Sequence, residues 1–425
     1  MSRKKVAFYL ETKLIEQTDC SKIMEGNPGI GGTEYEFLLV SFLLEQRENG
    51  IDAILIISNI LAVPHKNTVV IAGGVEAVCE YCTLHEVELL VINHLLFQSC
   101  VFNKYQNLSL VLWAHLRLGY DALNRWVETP YIKRIVCCGK EMLDLFRDHP
   151  VTAKSTFVYN IFPIHEKAWY LDRMDKADNH NVVFMGMLSK IKGFQFLARV
   201  WKKVVDEVPD AQLYVLGGGN LYDKNAKLGK YGIASVDFEE EIIPWLVDGK
   251  GNLLSSVHFM GVMGEEKFEV LGKCKVGVPN PSGVSEALPI TAIEMQLMGC
   301  NLTTIKHPAY LDTICNQDYL YSDLGHLKDY LVKRLLSGRD DYSATYQFIT
   351  RKFGLESSIR RWENIIWDID KPLCIEPCSS NGYHAKRLKN FLLSLKLKYA
   401  IFNFIPPVER FYDFYAEKIC KVRYR

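Results

Sequence analysis

The chain has 425 residues, 48% of them hydrophobic, and its 50 basic side chains are matched by 50 acidic ones. That length accommodates two domains with separate cores, and the balanced charge argues against a globally basic nucleic-acid binder. No apolar run reaches the ~20 residues of a membrane-spanning helix. The basic start is followed by only Val6-Ala7-Phe8-Tyr9-Leu10, too short for a signal-peptide core, so a cytoplasmic protein is expected.

Taken in chain order, apolar β-branched runs predict strands over 5–10, 53–58, 89–93, 108–115 and 134–138, with a further candidate at 155–159. Gly29-Ile30-Gly31-Gly32 follows the first strand at a distance. Thr33-Glu34-Tyr35-Glu36 then has capping-box spacing before Phe37-Leu38-Leu39-Val40, which places a helix start directly behind the glycines. Residues 162–181 are polar and weakly periodic and read as a linker. Strands resume at 182–186, 212–217, 258–261, 274–278 and 302–305, and Phe194, Leu197, Val200, Trp201 and Val204 mark a helix between the first two of these.

This alternation predicts an α/β protein: two Rossmann-like parallel-sheet domains, helices on both faces, with a cleft at the carboxyl ends of the strands. The expected division is 1–165, 166–354, a last helix within 355–370 that crosses back, and a basic amphipathic extension over 371–425. From Lys386 that extension carries ten bases against Glu409, Asp413 and Glu417, with Leu388, Phe391, Leu392, Leu395 and Tyr399 at helical spacing. Two readings stand for it: reversible contact with a membrane surface, or a helix packed on the body.

The twelve cysteines sit mostly in apolar patterns, as at Cys137, Cys138, Cys274 and Cys300, which is the usage of reduced core thiols. Cys79 and Cys82 lack a second pair and read as a small-residue helix face rather than a zinc site, and Cys374 with Cys378 reads the same way. Asp368-Ile369-Asp370 has a metal-binding D-x-D form but follows a helix, so it is read as chance. No metal site and no cofactor are expected.

Glu286 and Glu294 carry the most information. They stand eight positions apart in Pro279-Asn280-Pro281-Ser282-Gly283-Val284-Ser285-Glu286-Ala287-Leu288-Pro289-Ile290-Thr291-Ala292-Ile293-Glu294. The apolar run before them reads as a buried strand and the run after them as a helix. Pro289 suits a first helical position, leaving the N–H groups of Ile290 and Thr291 to face an anion. Carboxylates on either side of an anion site accept hydroxyl groups, so the ligand expected has both phosphates and hydroxyls, as a sugar nucleotide does. Gly186-Met187-Leu188-Ser189-Lys190-Ile191-Lys192-Gly193 joins a strand to a helix with Lys192 in reach of a phosphate, although alone it reads as a surface lysine. Gly29-x-Gly31-Gly32 lacks the dinucleotide order, which disfavours a nicotinamide enzyme, and the helix behind it favours close backbone approach to a phosphate. Gly217-Gly218-Gly219 reads as a strand exit. His115 and His94 end neighbouring strands on the cleft side, where a lone histidine is more often structural.

In this order the motifs resemble the retaining GT-B glycosyltransferases of family 4. The two-glutamate segment, the Gly186–Gly193 loop, the helix and strand over 204–218, His258-Phe259-Met260-Gly261-Val262 and Gly31-Gly32-Thr33-Glu34 all match, across roughly residues 3–368. The resemblance implies a nucleotide-sugar donor and a glycan or lipid-linked acceptor in surface polysaccharide assembly, without a metal. It implies that Glu286 meets the donor sugar, Glu294 the ribose, and Lys192 with the Ile290 and Thr291 amides the diphosphate. Catalytic roles would fall to Glu286, Lys192 and His115, and further donor contacts to Gly31, Gly32, Gly186, Val262, Ala287 and Leu288. Met187 departs from the family pattern, which has an arginine there, and Lys190 is a candidate substitute. A non-catalytic nucleotide-sugar-binding subunit and a GT-B epimerase or phosphorylase are the alternatives.

Overall fold

Runs of Val, Ile, Leu and aromatic residues that are buried on both faces form parallel strands rather than amphipathic ones. The computed structural model describes residues 3–161, 163–175, 179–219, 227–284, 286–375, 384–408 and 410–411. Ser285, Cys378 and the tail residues Glu409, Asp413 and Glu417 lie outside them. The chain divides into two units, Met1–Phe162 with Leu355–Arg425, and Pro163–Gly354.

The first unit holds seven parallel strands: β1 (Lys4–Leu10), β2 (Ile51–Ile57), β3 (Thr68–Val70), β4 (Leu89–Asn93), β5 (Ser109–Ala114), β6 (Ile132–Cys137) and β7 (Ser155–Phe157), in the order β3-β2-β1-β4-β5-β6-β7. Val6 pairs with Ala53 on one side and Leu89 on the other. The strand order reverses between β1 and β4, and such a reversal opens a crevice at the strand ends. The helix Gly32–Glu45 returns from β1. The helix Leu355–Trp367 closes the same core from the far end of the chain. Trp362 lies 4.6 Å from Trp113 and 5.9 Å from Phe8, centroid to centroid, and Arg47 pairs with Glu356 at 2.9 Å.

The second unit holds β8 (Asn181–Met185), β9 (Gln212–Leu216), β10 (Val257–Gly261), β11 (Val276–Gly277) and β12 (Asn301–Leu302), all parallel, in the order β10-β9-β8-β11-β12. Here the order reverses between β8 and β11. A separate pair joins β13 (Thr304–Ile305) to β14 (Leu320–Tyr321). The helix Phe194–Glu207 packs Phe194, Leu197, Trp201 and Val204 into this core.

The linker and the capping box need correction. The supposed linker carries a helix, Lys167–Leu171, whose buried Tyr170 packs on Phe268, and Arg173 stacks 3.8 Å over Trp169. The aromatic residues Trp169 and Tyr170 anchor that segment to the second unit. The capping box does not form. Gly31 is the N-cap with no side-chain cap, and Glu36 turns inward to accept the Ile161 N–H at 2.9 Å. The D-x-D pair is engaged structurally: Asp370 pairs with Lys133 at 3.1 Å and Asp368 with Lys371 at 2.8 Å. Cys79 and Cys82 are buried in the helix Gly74–Leu84, and burial pushes both thiols up to about 12.

The extension forms the helix His384–Lys398, and it packs on the first unit with Lys389 and Lys396 inward. Lys389 donates to the carbonyls of Asp144 and Leu145 at 2.9 Å, and Lys396 donates to that of Asp148 at 2.6 Å. Leu393 is buried between them, and the Val408 N–H donates to Asp148 Oδ2 at 2.9 Å. These ammonium groups satisfy carbonyls at and just beyond the end of the helix Lys140–Leu145, where a helix has unpaired acceptors and a negative dipole end.

Candidate functional site

The loops that leave β8 and β11 meet at the strand reversal of the second unit. After β8, the short 3-10 turn Lys190–Lys192 ends at Gly193, which has φ +71. A Cβ there would meet Ser282 N at 2.8 Å and Asn280 Oδ1 at 3.0 Å, so only glycine lets the two loops touch. Ser282 Oγ donates to the Ile191 carbonyl at 2.9 Å across the same contact.

This contact places Lys192 Nζ 2.7 Å from Glu286 Oε1. Asn280 Nδ2 donates to the same oxygen at 2.8 Å and to the Val284 carbonyl at 3.1 Å. The Glu286 side chain is only 8% exposed, so its charge is balanced locally by a cation and an amide. Nearby, burial lowers the basicity of His307, and Glu286 partly counters this.

Glu294 lies in the helix Ile290–Leu297, and its Oε1 accepts from Lys267 Nζ at 2.6 Å. Lys267 opens the helix Lys267–Gly272 and lies 5.1 Å over the Phe268 ring. Each glutamate therefore has its own lysine. The sequence singled out Glu286, Glu294 and Lys192 but not Lys267 or Asn280, which bond the two glutamates. The Asn280 signal was present, since an Asn between two prolines in a strand-exit loop is apt to bond its own turn. Lys267 sits among charged residues with no pattern to single it out.

The start of the Ile290–Leu297 helix differs from expectation by one residue. Pro289 is the N-cap rather than the first helical residue. The Ile290 N–H is directed to the Leu288 carbonyl at 3.0 Å, which removes it from the expected pair of free donors. Met187 is half-buried. Lys190, the candidate substitute for an arginine there, pairs with Glu241 at 3.4 Å on a largely exposed side chain. Gly186 and Gly217 approach backbone to backbone: a Cβ on Gly217 would meet the Gly186 carbonyl at 2.1 Å. The Gly217 and Gly219 amides donate to the carbonyls of Gly261 and Ile233, as a tied strand exit requires. Val262 is exposed just past β10, and Ala287 and Leu288 are half-buried beside Glu286.

The remaining expected residues belong to the first unit. Asn27 holds the glycine loop: its Oδ1 accepts the Gly29 and Ile30 N–H groups at 2.9 Å, and Gly31 and Gly32 open the helix. A Cβ on Gly32 would meet nothing within 4 Å, so its backbone is open to close approach. His115 follows β5, its ring 4.8 Å from Trp113 and 6.2 Å from Phe37. Both its ring nitrogens are covered and have no protein partner, and burial, aided by His94, pushes it down to about 3. His94 is held at about 4 by burial. At neutral pH both are uncharged imidazoles at strand ends.

Residues 179–323 match the family model described as "Glycosyl transferases group 1". An uncharacterized glycosyltransferase of Haemophilus influenzae is 24% identical over 140 residues, which is 32% of this chain and 38% of that protein. Among solved structures, a glycosyltransferase from Rickettsia africae is similar with a TM-score of 0.58 at 12% identity, covering 87% of this chain and 100% of its own. Sucrose-phosphate synthase from Thermosynechococcus elongatus gives 0.59 at 14% identity over 86% and 99%. HepE of Anabaena, solved with UDP and glucose, gives 0.54 at 13% over 86% and 100%. At these identities the structures establish the fold, which is that of GT-B glycosyltransferases. With the domain match they support a glycosyltransferase.

Proposed function

We propose that the protein is a retaining, metal-independent hexosyltransferase of family 4. It would move a sugar from a nucleotide-sugar donor to a glycan or lipid-linked acceptor, in the cytoplasmic assembly of a surface polysaccharide. The observation that carries this reading is the pair of lysine-held glutamates flanking the start of the Ile290–Leu297 helix. It lies within the segment that matches group 1 transferases. UDP and glucose, the molecules in the HepE structure, are chemically of the kind such a site would take: acidic groups for hydroxyls and a cation for phosphate.

On this reading Glu294 accepts the ribose hydroxyls and Glu286 accepts hydroxyls of the sugar. Lys192 bridges from Glu286 toward the diphosphate. As the bond from the anomeric carbon to the phosphate oxygen breaks, negative charge collects on the diphosphate. Lys192 and the Thr291 amide at the helix start stabilise that charge without reorganising. The acceptor oxygen then bonds to the anomeric carbon on the face the phosphate leaves, and its proton passes to the departing phosphate oxygen.

A thermal-shift screen of nucleotide sugars, followed by product detection with the best binder, tests the reading. A donor that stabilises the protein and is transferred or hydrolysed supports it. Donor binding with neither outcome, across a range of acceptors, replaces it with the binding-subunit reading that Met187 raises. Activity abolished by a chelator and restored by magnesium or manganese removes the metal-independent form.

A further inference from the structure

The helix His384–Lys398 is turned inside out relative to an ordinary surface helix. Its inward stripe is Lys389, Leu393 and Lys396, and both lysines are only 6% exposed. The stripe beside it, Leu388, Phe391, Leu395 and Tyr399, recurs at helical spacing and meets solvent, with Phe391 60% exposed. Beyond the helix, Ile401 and Phe404 are 76% and 78% exposed. Single exposed apolar residues are ordinary, but a continuous stripe that runs into an exposed turn marks a contact surface.

The charges around the stripe identify its partner. Arg387 and Lys398 are exposed, and helical spacing sets them along the outer flank of the stripe. Arg410 lies farther along, its guanidinium 5.3 Å over Tyr120. From Lys386 onward the sequence carries ten bases against Glu409, Asp413 and Glu417. A second copy of this chain, docked isologously on the stripe, would bring the basic flanks of the two helices together. An anionic bilayer has the complementary composition: acyl chains for Phe391, Leu388 and Ile401, and phosphates for the flanking cations.

We propose that this outward stripe is a membrane-docking surface that seats the first unit on an anionic lipid bilayer. The buried lysines are part of the device. By bonding the carbonyls of Asp144, Leu145 and Asp148, Lys389 and Lys396 fix the helix rotation that keeps the apolar stripe outward. The proposal does not depend on the sugar-transfer reading.

Vesicle flotation of the full-length protein tests it, with phosphatidylcholine alone and with phosphatidylcholine plus phosphatidylglycerol. The expected result is flotation with the anionic vesicles at least tenfold above the neutral ones, reduced by high salt. Phe391→Asp, at an exposed position, should cut it at least tenfold with an unchanged melting temperature. Arg387→Glu with Lys398→Glu should lower binding to anionic vesicles and leave the neutral background as it was. Three results would overturn the proposal: wild-type protein that floats with neither vesicle, Phe391→Asp protein that floats like wild type, or a dimer that Phe391→Asp dissociates without any vesicle binding. UDP-sugar thermal shifts on the same proteins keep the donor site's behaviour separately visible.

Discussion

At the residue scale, the two glutamates should separate binding from chemistry. Glu294→Ala removes an acceptor for ribose hydroxyls. A charged hydrogen bond contributes about 1.5–3 kcal/mol, so donor affinity measured by calorimetry should fall roughly ten- to 150-fold with the fold intact. A mutant that binds donor like wild type would sink that role. Lys192→Ala should act on turnover, by about a hundredfold if it stabilises the leaving diphosphate as a single preset donor does. Met187→Arg should leave the rate unchanged or raise it, since Lys190 is engaged with Glu241 and supplies no charge there. Lys267→Met should weaken donor binding several-fold by freeing the Glu294 carboxylate, and Lys267→Arg should restore most of it; equal loss in both would show a steric role instead. Glu286 and Glu294 were legible because a fixed spacing across a strand-to-helix junction leaves a linear trace, whereas Lys192 alone read as a surface lysine and was singled out by the family resemblance. Lys267 was not, because its contact with Glu294 is made by two separate helices brought together only by folding.

At the element scale, the join between the β8 and β11 loops depends on one glycine. An L-residue in the left-handed region costs about 1–2 kcal/mol. Gly232 has φ +69 with nothing within 4 Å of an added Cβ, so Gly232→Ala should show that cost alone. Gly193→Ala adds a clash with the Ser282 backbone nitrogen, so it should lower the melting temperature further and also weaken donor binding by separating Lys192 from Glu286. Equal melting temperatures for the two variants would show that the loops yield. The central strands were legible because they are buried on both faces and read as unbroken apolar runs. β3 and β14 were not, being three and two residues long, too short to show a period. The Gly32–Glu45 helix starts at the glycines as read, but its capping box fails for a tertiary reason: Glu36, read as a local cap, bonds the distant Ile161 amide instead.

At the scale of the whole molecule, the first unit carries an acid liability. Burial holds His65, His94 and His149 at about 4 and His115 at about 3, all below their ordinary 6.5. Unfolding lets each take up a proton at its ordinary value. Their contribution is thus full above pH 6.5 and is lost as pH falls through 6.5 toward 4 and then 3. Buried Glu36 and Asp148 are pushed the other way and oppose this, two groups against four. Hydrogen exchange should therefore show β4 to β6 losing protection between pH 6.5 and 4 ahead of β8 and β9, whose unit has one such histidine, His307, among the described residues against four in the first. Uniform protection over that range would contradict the burial argument. The Leu355–Trp367 helix has a further consequence, for the order of events during synthesis. Trp362 fills the space beside Phe8 and Trp113, yet residues 163–354 emerge from the ribosome in between. At ~5–20 residues per second that interval is on the order of ten seconds or more. Throughout it the nascent amino-terminal sheet has an apolar face awaiting its last helix, which makes this unit a natural client for a chaperone that binds exposed aromatic surface.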